Sequence, residues 1–171
     1  MKLGFVILWI MKLFIDQSGK VEDTSKNTVL AFSDRISGSI LIKAVEKRKL
    51  LRMFREQNHP KIFTFQLFSI LIYELLVRYK IKNHIVCIDI EYSGQNDLIK
   101  SYIIQLVNKF KGIDIANHDI HFVLVGKQSN VHKVAITSLR KNKAEFCIQS
   151  KDVVKKIVFL SQFTSKKRTG Y

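Results

Sequence analysis

One proline and seven glycines among 171 residues leave no Pro/Gly/Ser-rich linker, so the chain reads as one domain rather than a string of modules. The two cysteines, Cys87 and Cys147, lie far apart inside apolar runs. That excludes a disulfide framework and any zinc-type spacing, and predicts buried thiols in a reducing, cytoplasmic setting. Acids are also scarce, with 14 Asp+Glu against 29 Lys+Arg and a formal charge of +15. Charged residues nevertheless make up an ordinary 25%, and apolar residues 47%, which excludes a disordered basic tail protein. A chain of this length buries roughly 70% of its unfolded surface, enough for a core without metal or disulfide staples.

What is present is basic and apolar. A basic surface points to a polyanionic partner, nucleic acid before an anionic membrane, although Lys- and Ile-rich usage also follows from genome composition or growth temperature. Of the five histidines, His118 and His121 have a ligand-like spacing but no partner pair. The opening MKLGFVILWIMKLFI resembles a signal or anchor. Lys12 interrupts it, however, Gly4 to Met11 is too short to span a bilayer, and no small-residue cleavage site follows. Met11-Lys12-Leu13 repeats Met1-Lys2-Leu3, so residues 1–10 are expected to be an extension or a mis-assigned start. Residues 11–163 are expected to form the domain and 164–171 a basic tail.

Apolar periodicity orders the elements. Strands are expected at Leu13 to Asp16, Thr28 to Ser33 and Ser39 to Lys43, an antiparallel meander. A basic helix over 44–57 follows, stopped by Asn58-His59-Pro60. Thr64 to Tyr79 is apolar nearly all round, the mark of a central buried helix. Ile85 to Ile90 and Ile120 to Val125 read as buried parallel strands, and Phe146 to Ile148 as a short edge strand. Helices are expected over Leu98 to Phe110, Asn130 to Lys141 and Asp152 to Phe163, the last capped by Ser150. The fold class is therefore α/β: a mixed sheet whose first three strands are antiparallel and whose later strands return through helical crossovers.

Three of the fourteen acids stand in apolar surroundings: Asp16 after Leu-Phe-Ile, Glu74 between Ile-Tyr and Leu-Leu, and Asp89 after Val-Cys-Ile. A buried carboxylate must be neutralised, paired or bound to a metal. Asp16 and Asp89 end strands expected to lie side by side, at the sheet edge where open α/β folds place their sites. Converging carboxylates without a His or Cys cage suit Mg²⁺ or Mn²⁺, and paired ions of that kind hydrolyse phosphodiesters. Simpler roles stay open: Glu74 paired with Arg78, Asp89 in a turn with Ser93-Gly94, Asp16 capping the turn before Gly19, and Asp152 complementing a helix dipole.

Ile15-Asp16-Gln17-Ser18-Gly19, two further strands, a buried helix and a strand closing on Ile88-Asp89 together resemble the ribonuclease H-like superfamily. The opening is similar to a widespread group in it whose first strand ends in Asp-x-Ser-Gly. The resemblance covers residues 11 to 163. It implies a five-stranded mixed sheet with helices on both faces, and divalent-metal cleavage of nucleic acid. Asp16 and Asp89 match the two strand-end aspartates, and Asp152 the late acid of the closing helix. The helix acid departs from the pattern, because Gln66 stands at its usual place and Glu74 lies two turns further on; Glu91, on the face of Asp89, is a substitute. The site expected is thus Asp16, Glu74, Asp89 and Asp152, with the metal on Asp16, Asp89 and Asp152.

Phosphate contacts are expected from Lys47, Arg48, Lys49, Arg52 and Arg55, in a stretch with Glu46 as its single acid, and from Arg140, Lys141 and Lys143. Solvated helix faces would look the same. The function expected is a metal-dependent nuclease, with a non-catalytic nucleic-acid-binding domain of the same fold as the alternative. A peripheral membrane protein is a third reading, resting on residues 1–15 and the basic surface.

Overall fold

The computed structural model describes residues 11–166, with side chains to 162. The chain runs β1 (Met11–Ser18), β2 (Thr28–Ser33), β3 (Ser37–Ile42), α1 (Ala44–Glu56), α2 (Phe63–Arg78), β4 (His84–Asp89), α3 (Asn96–Phe110), β5 (Ile120–Val123), α4 (Asn130–Arg140), β6 (Phe146–Ile148) and α5 (Ser150–Lys166). The strands form one six-stranded mixed sheet in the order β5-β4-β1-β2-β3-β6. The β1-β2-β3 meander is antiparallel, while β4 joins β1, β5 joins β4 and β6 joins β3 in parallel. The expected α/β mixed sheet is therefore present, with β6 as a sixth strand beyond β3.

Alternation along β2 sorts the layers. Leu30 and Phe32 point into the main core, whereas Ala31 packs with Val131 and Ala135 of α4. α4 thus covers one face and α1, α2, α3 and α5 the other. α2 is buried along nearly its whole circumference, as its unbroken apolar sequence requires. With the turn before it, as Pro60–Arg78, it is also the one described helical segment long and apolar enough to cross a membrane, with most of that surface spent on the protein's own core. Residues 1–10 lie outside the described residues. At the other end α5 continues to Lys166, past the boundary expected at 163.

Local chemistry explains the turns that position the site. Gly19 has φ +75°, and a side chain there would run into the carbonyl of Asn27. The turn after Asp16-Gln17-Ser18 therefore demands glycine. At α5 the helix begins one residue earlier than a Ser150 cap would allow. Ser150 N–H donates to Glu46 Oε2 (2.7 Å), and Asp152 Oδ2 accepts from the Gln149 N–H (2.9 Å). A carboxylate satisfying the first free amide replaces the expected serine cap.

Two sequence expectations are corrected by burial. Cys87 is buried, but Cys147 is exposed, because it alternates outward on an edge strand while Ile148 turns inward. Lys47, expected on a phosphate-binding surface, is fully buried. Its Nζ donates to Lys20 O (2.9 Å), Asp23 O (2.7 Å) and Thr28 Oγ1 (2.7 Å). Burial lowers its pKa to about 8. This ammonium fastens the 19–27 loop and is not available to phosphate.

Candidate metal centre

β1 and β4 run parallel and adjacent, with Ile15 beside Ile88, so the acids that follow each of them emerge together at the carboxyl edge. Asp16 pairs in register with Ala31, which places it on the α4 face. One ligand oxygen each from Asp16, Asp89 and Glu91 lie within 4.8 Å of one another. The expected meeting of Asp16 and Asp89 is therefore found, and Glu91 completes the group.

Two of the three carboxylates are held by hydrogen bonds from the surrounding elements. Asp16 Oδ1 accepts the backbone N–H of Gln17 (2.7 Å), and its Oδ2 accepts His132 Nδ1–H (2.8 Å) from the first turn of α4. Asp89 Oδ1 accepts the N–H of Val125 (2.7 Å), from the loop after β5. His132 is oriented in turn, since its helix is capped by Ser129, whose Oγ accepts the His132 N–H (3.2 Å). The end of β1, the loop after β5 and the first turn of α4 thus hold Asp16 and Asp89 at one sheet edge, in the way open α/β sheets assemble sites.

The charges are not balanced. Burial raises the pKa of Asp16, opposed by the His132 and Gln17 hydrogen bonds and assisted by the nearby Asp89 charge. Glu91 is pushed to about 7, first by burial and then by Asp16 and Asp89. Like charges crowded into a low-dielectric corner hold a proton or a cation. The donor set is compatible with a cation, being rich in carboxylate oxygen and braced by amide and imidazole N–H groups.

The other two expected site residues belong elsewhere. Glu74 is buried in the helical layer opposite α4, where Lys156 Nζ (2.8 Å) and Arg78 Nε (3.1 Å) neutralise it. Asp152 lies on the same guanidinium at 3.8 Å. Neither joins the strand-end cluster, because the sheet stands between the two layers. Gln66, at the place where a helix acid was expected, is fully buried on α2.

The expected basic surfaces are exposed apart from Lys47. Arg48 also donates to Thr24 O (2.9 Å), and Lys49 pairs with Glu46 (2.7 Å). Arg48, Lys49, Arg52 and Arg55 lie in the helical layer across the sheet from α4. Arg140, Lys141 and Lys143 follow the far end of α4, about 12 Å from His132 by helical rise. The residue that sequence reasoning passed over is His132. Its one signal was position: it follows inward-facing Val131 in the first turn of the helix after β5. Compared with family models, curated proteins and solved structures, the chain shows no match.

Proposed function

We propose that the protein is a divalent-metal-dependent phosphodiesterase of the ribonuclease H-like type, acting on nucleic acid in the cytoplasm. The observation that carries this is the convergence of Asp16, Asp89 and Glu91 at the ends of adjacent parallel strands. The fold class supports it: an antiparallel meander with parallel strands added by helical crossovers, and helices on both faces. The +15 charge supports a polyanionic substrate.

Asp16, Asp89 and Glu91 would hold Mg²⁺ or Mn²⁺, hard cations that take carboxylate oxygen. When bound, the cation polarises the phosphodiester and lowers the pKa of water. Asp16 also orients His132 through Nδ1–H, which leaves Nε2 as the ring's proton acceptor. His132 then takes the proton of the attacking water, as a general base held by a carboxylate. Exposed Arg140, Lys141 and Lys143 supply phosphate contacts without reading sequence.

Cleavage of a single-stranded oligonucleotide in Mn²⁺ tests this reading. Activity lost in Asp16→Asn and Asp89→Asn, with folding retained, supports it; cleavage untouched by both variants sinks it. A second reading, a nucleic-acid-binding domain without catalysis, is favoured by the helix layer. There Gln66 replaces the expected acid and Glu74 is consumed by Lys156 and Arg78. Salt-sensitive binding that survives every carboxylate variant, without cleavage, is its signature.

A further inference from the structure

Among the described residues, the face of the sheet that carries the acid cluster is covered by α4 alone, which leaves part of it open. Along β1, Lys12, Phe14 and Asp16 share this face. Asp16 is buried, but Phe14 is 37% exposed and belongs to neither apolar cluster of the fold. Opposite it, the loop between β5 and α4 presents Leu124, 85% exposed. Between them lies a cavity of about 430 Å³, lined by Phe14, Leu124 and Val131, with polar Ser129 and Asn130, the cation Lys12 and the acid Asp34, whose carboxylate lies 3.5 Å from His84 Nε2. That volume falls within the ~300–1,000 Å³ of ordinary small-molecule sites.

The cavity is wired to the acid cluster by two of its own wall residues. Val125 lines it and gives its N–H to Asp89. Ser129 lines it and caps the turn of His132, which donates to Asp16. Phe14 lies two residues from Asp16 along an extended strand, about 7 Å, a separation that one nucleotide spans between phosphate and base.

We propose that this cavity seats an unpaired nucleobase of a single-stranded nucleic acid, stacked on Phe14, with the adjoining phosphate at the cation that Asp16, Asp89 and Glu91 would hold. The inference rests on the nucleic-acid reading above and narrows its substrate to single strands. An aromatic side chain left bare beside a charged site is a poor solvent surface and a good stacking platform, since every base has a π-face. Leu124 supplies the second apolar wall. The Asn130 amide and Ser129 hydroxyl offer both donor and acceptor groups to a base edge, and Lys12 neutralises a neighbouring phosphate. A base within a duplex has both faces occupied by stacking and cannot enter.

The test uses a short single-stranded oligonucleotide with one central 2-aminopurine, titrated with the whole protein in Ca²⁺, a hard cation that takes the same carboxylate oxygens, with Mn²⁺ withheld. Wild type is expected to bind and to change the 2-aminopurine fluorescence by stacking. Phe14→Ala, folded by circular dichroism, should lose the fluorescence change and weaken binding by roughly five- to hundred-fold. Phe14→Trp should keep both, and a hairpin duplex should compete at least ten-fold less well than the single strand. Unchanged affinity and fluorescence in Phe14→Ala, or equal competition by duplex, overturns the base seat. Phe14-dependent binding with no Mn²⁺-dependent cleavage sinks the hydrolytic reading and leaves the seat standing. Cleavage with Phe14-independent binding does the reverse.

Discussion

On one side of the sheet Glu74 lies between Lys156 and Arg78, with Asp152 on the same guanidinium. On the other, Asp16, Asp89 and Glu91 converge with the imidazole of His132 beside them. Burial does not separate the two buried acids, since Glu74 is 6% exposed and Asp16 4%, and the others, Asp89, Glu91 and Asp152, are all half-buried. Compensation does. The helical layer meets its buried acid with two cations in direct contact, Arg78 one turn on and Lys156 from α5, whereas Asp16 and Asp89 meet amide N–H groups and one ring nitrogen, and Glu91 meets the charge of Lys20 without an ion pair among the described residues. Acids that a fold neutralises internally serve its packing. Acids left short of positive charge cost stability and are worth keeping where an external cation completes them.

That contrast breaks most visibly in activity. Asp89→Asn and Glu91→Gln are each expected to lower Mn²⁺-dependent cleavage by about 100-fold or more, as loss of a metal ligand does. Asp152→Asn should stay within about threefold, because its carboxylate serves an amide and an arginine. A steady-state cleavage assay on the three variants decides it, and equal losses would erase the distinction.

Stability should show the reverse order. Glu74→Ala leaves Lys156 and Arg78 facing a buried gap, and is expected to cost about 3 kcal/mol in urea unfolding. Replacing Glu74 and Lys156 together by methionine should recover most of that. Lys47 is the mirror case, a buried cation met by three oxygens. Lys47→Met strands those acceptors and is expected to cost about 2 kcal/mol, with no change in the salt dependence of oligonucleotide binding. A steeply altered salt dependence would restore Lys47 to the phosphate-binding surface.

The smallest effect is a pH signature. Glu91 has a folded pKa of about 7, above its ordinary 4.5, so the folded state without metal holds a proton that the unfolded state has released. Its contribution to stability is therefore lost as pH rises from 4.5 towards 7 and beyond. Glu91→Gln should raise the stability of the metal-free protein at pH 8 by about 1 kcal/mol and change nothing at pH 4. Denaturant melts in EDTA at the two pH values measure this, and a variant destabilised at pH 8 contradicts it.

Much of this was legible because apolar runs and their endings are local signals. Leu-Phe-Ile before Asp16 and Val-Cys-Ile before Asp89 marked the two strands, and parallel pairing made the acids meet, although β1 runs two residues past Asp16, the end expected from the apolar run, to Ser18. Glu74 was legible in part: its pairing with Arg78 one turn on was one of the simpler roles and is found, but a helix apolar on every side gives no sign of which layer an acid on it will enter. Lys47 was misread from its basic neighbours, although it shares a helical face with Leu50 and Phe54, both buried. Cys147 looked like core, and only edge pairing beyond β3 exposes it. His132 carries no motif, and its role depends on a hydrogen bond to a residue 116 positions away.

The most direct measurement is calorimetric titration of the metal-free protein with Mn²⁺ near pH 7, in two buffers of different ionisation enthalpy. Binding should be accompanied by proton release, because the cation displaces the proton that burial, and then the Asp16 and Asp89 charges, hold on Glu91. In Glu91→Gln that release should vanish, and with Asp16→Asn and Asp89→Asn added the binding itself should be lost. Mn²⁺ binding that persists unchanged in the triple variant, or a folded wild type that binds no Mn²⁺, would contradict the assignment of these three carboxylates as a metal centre.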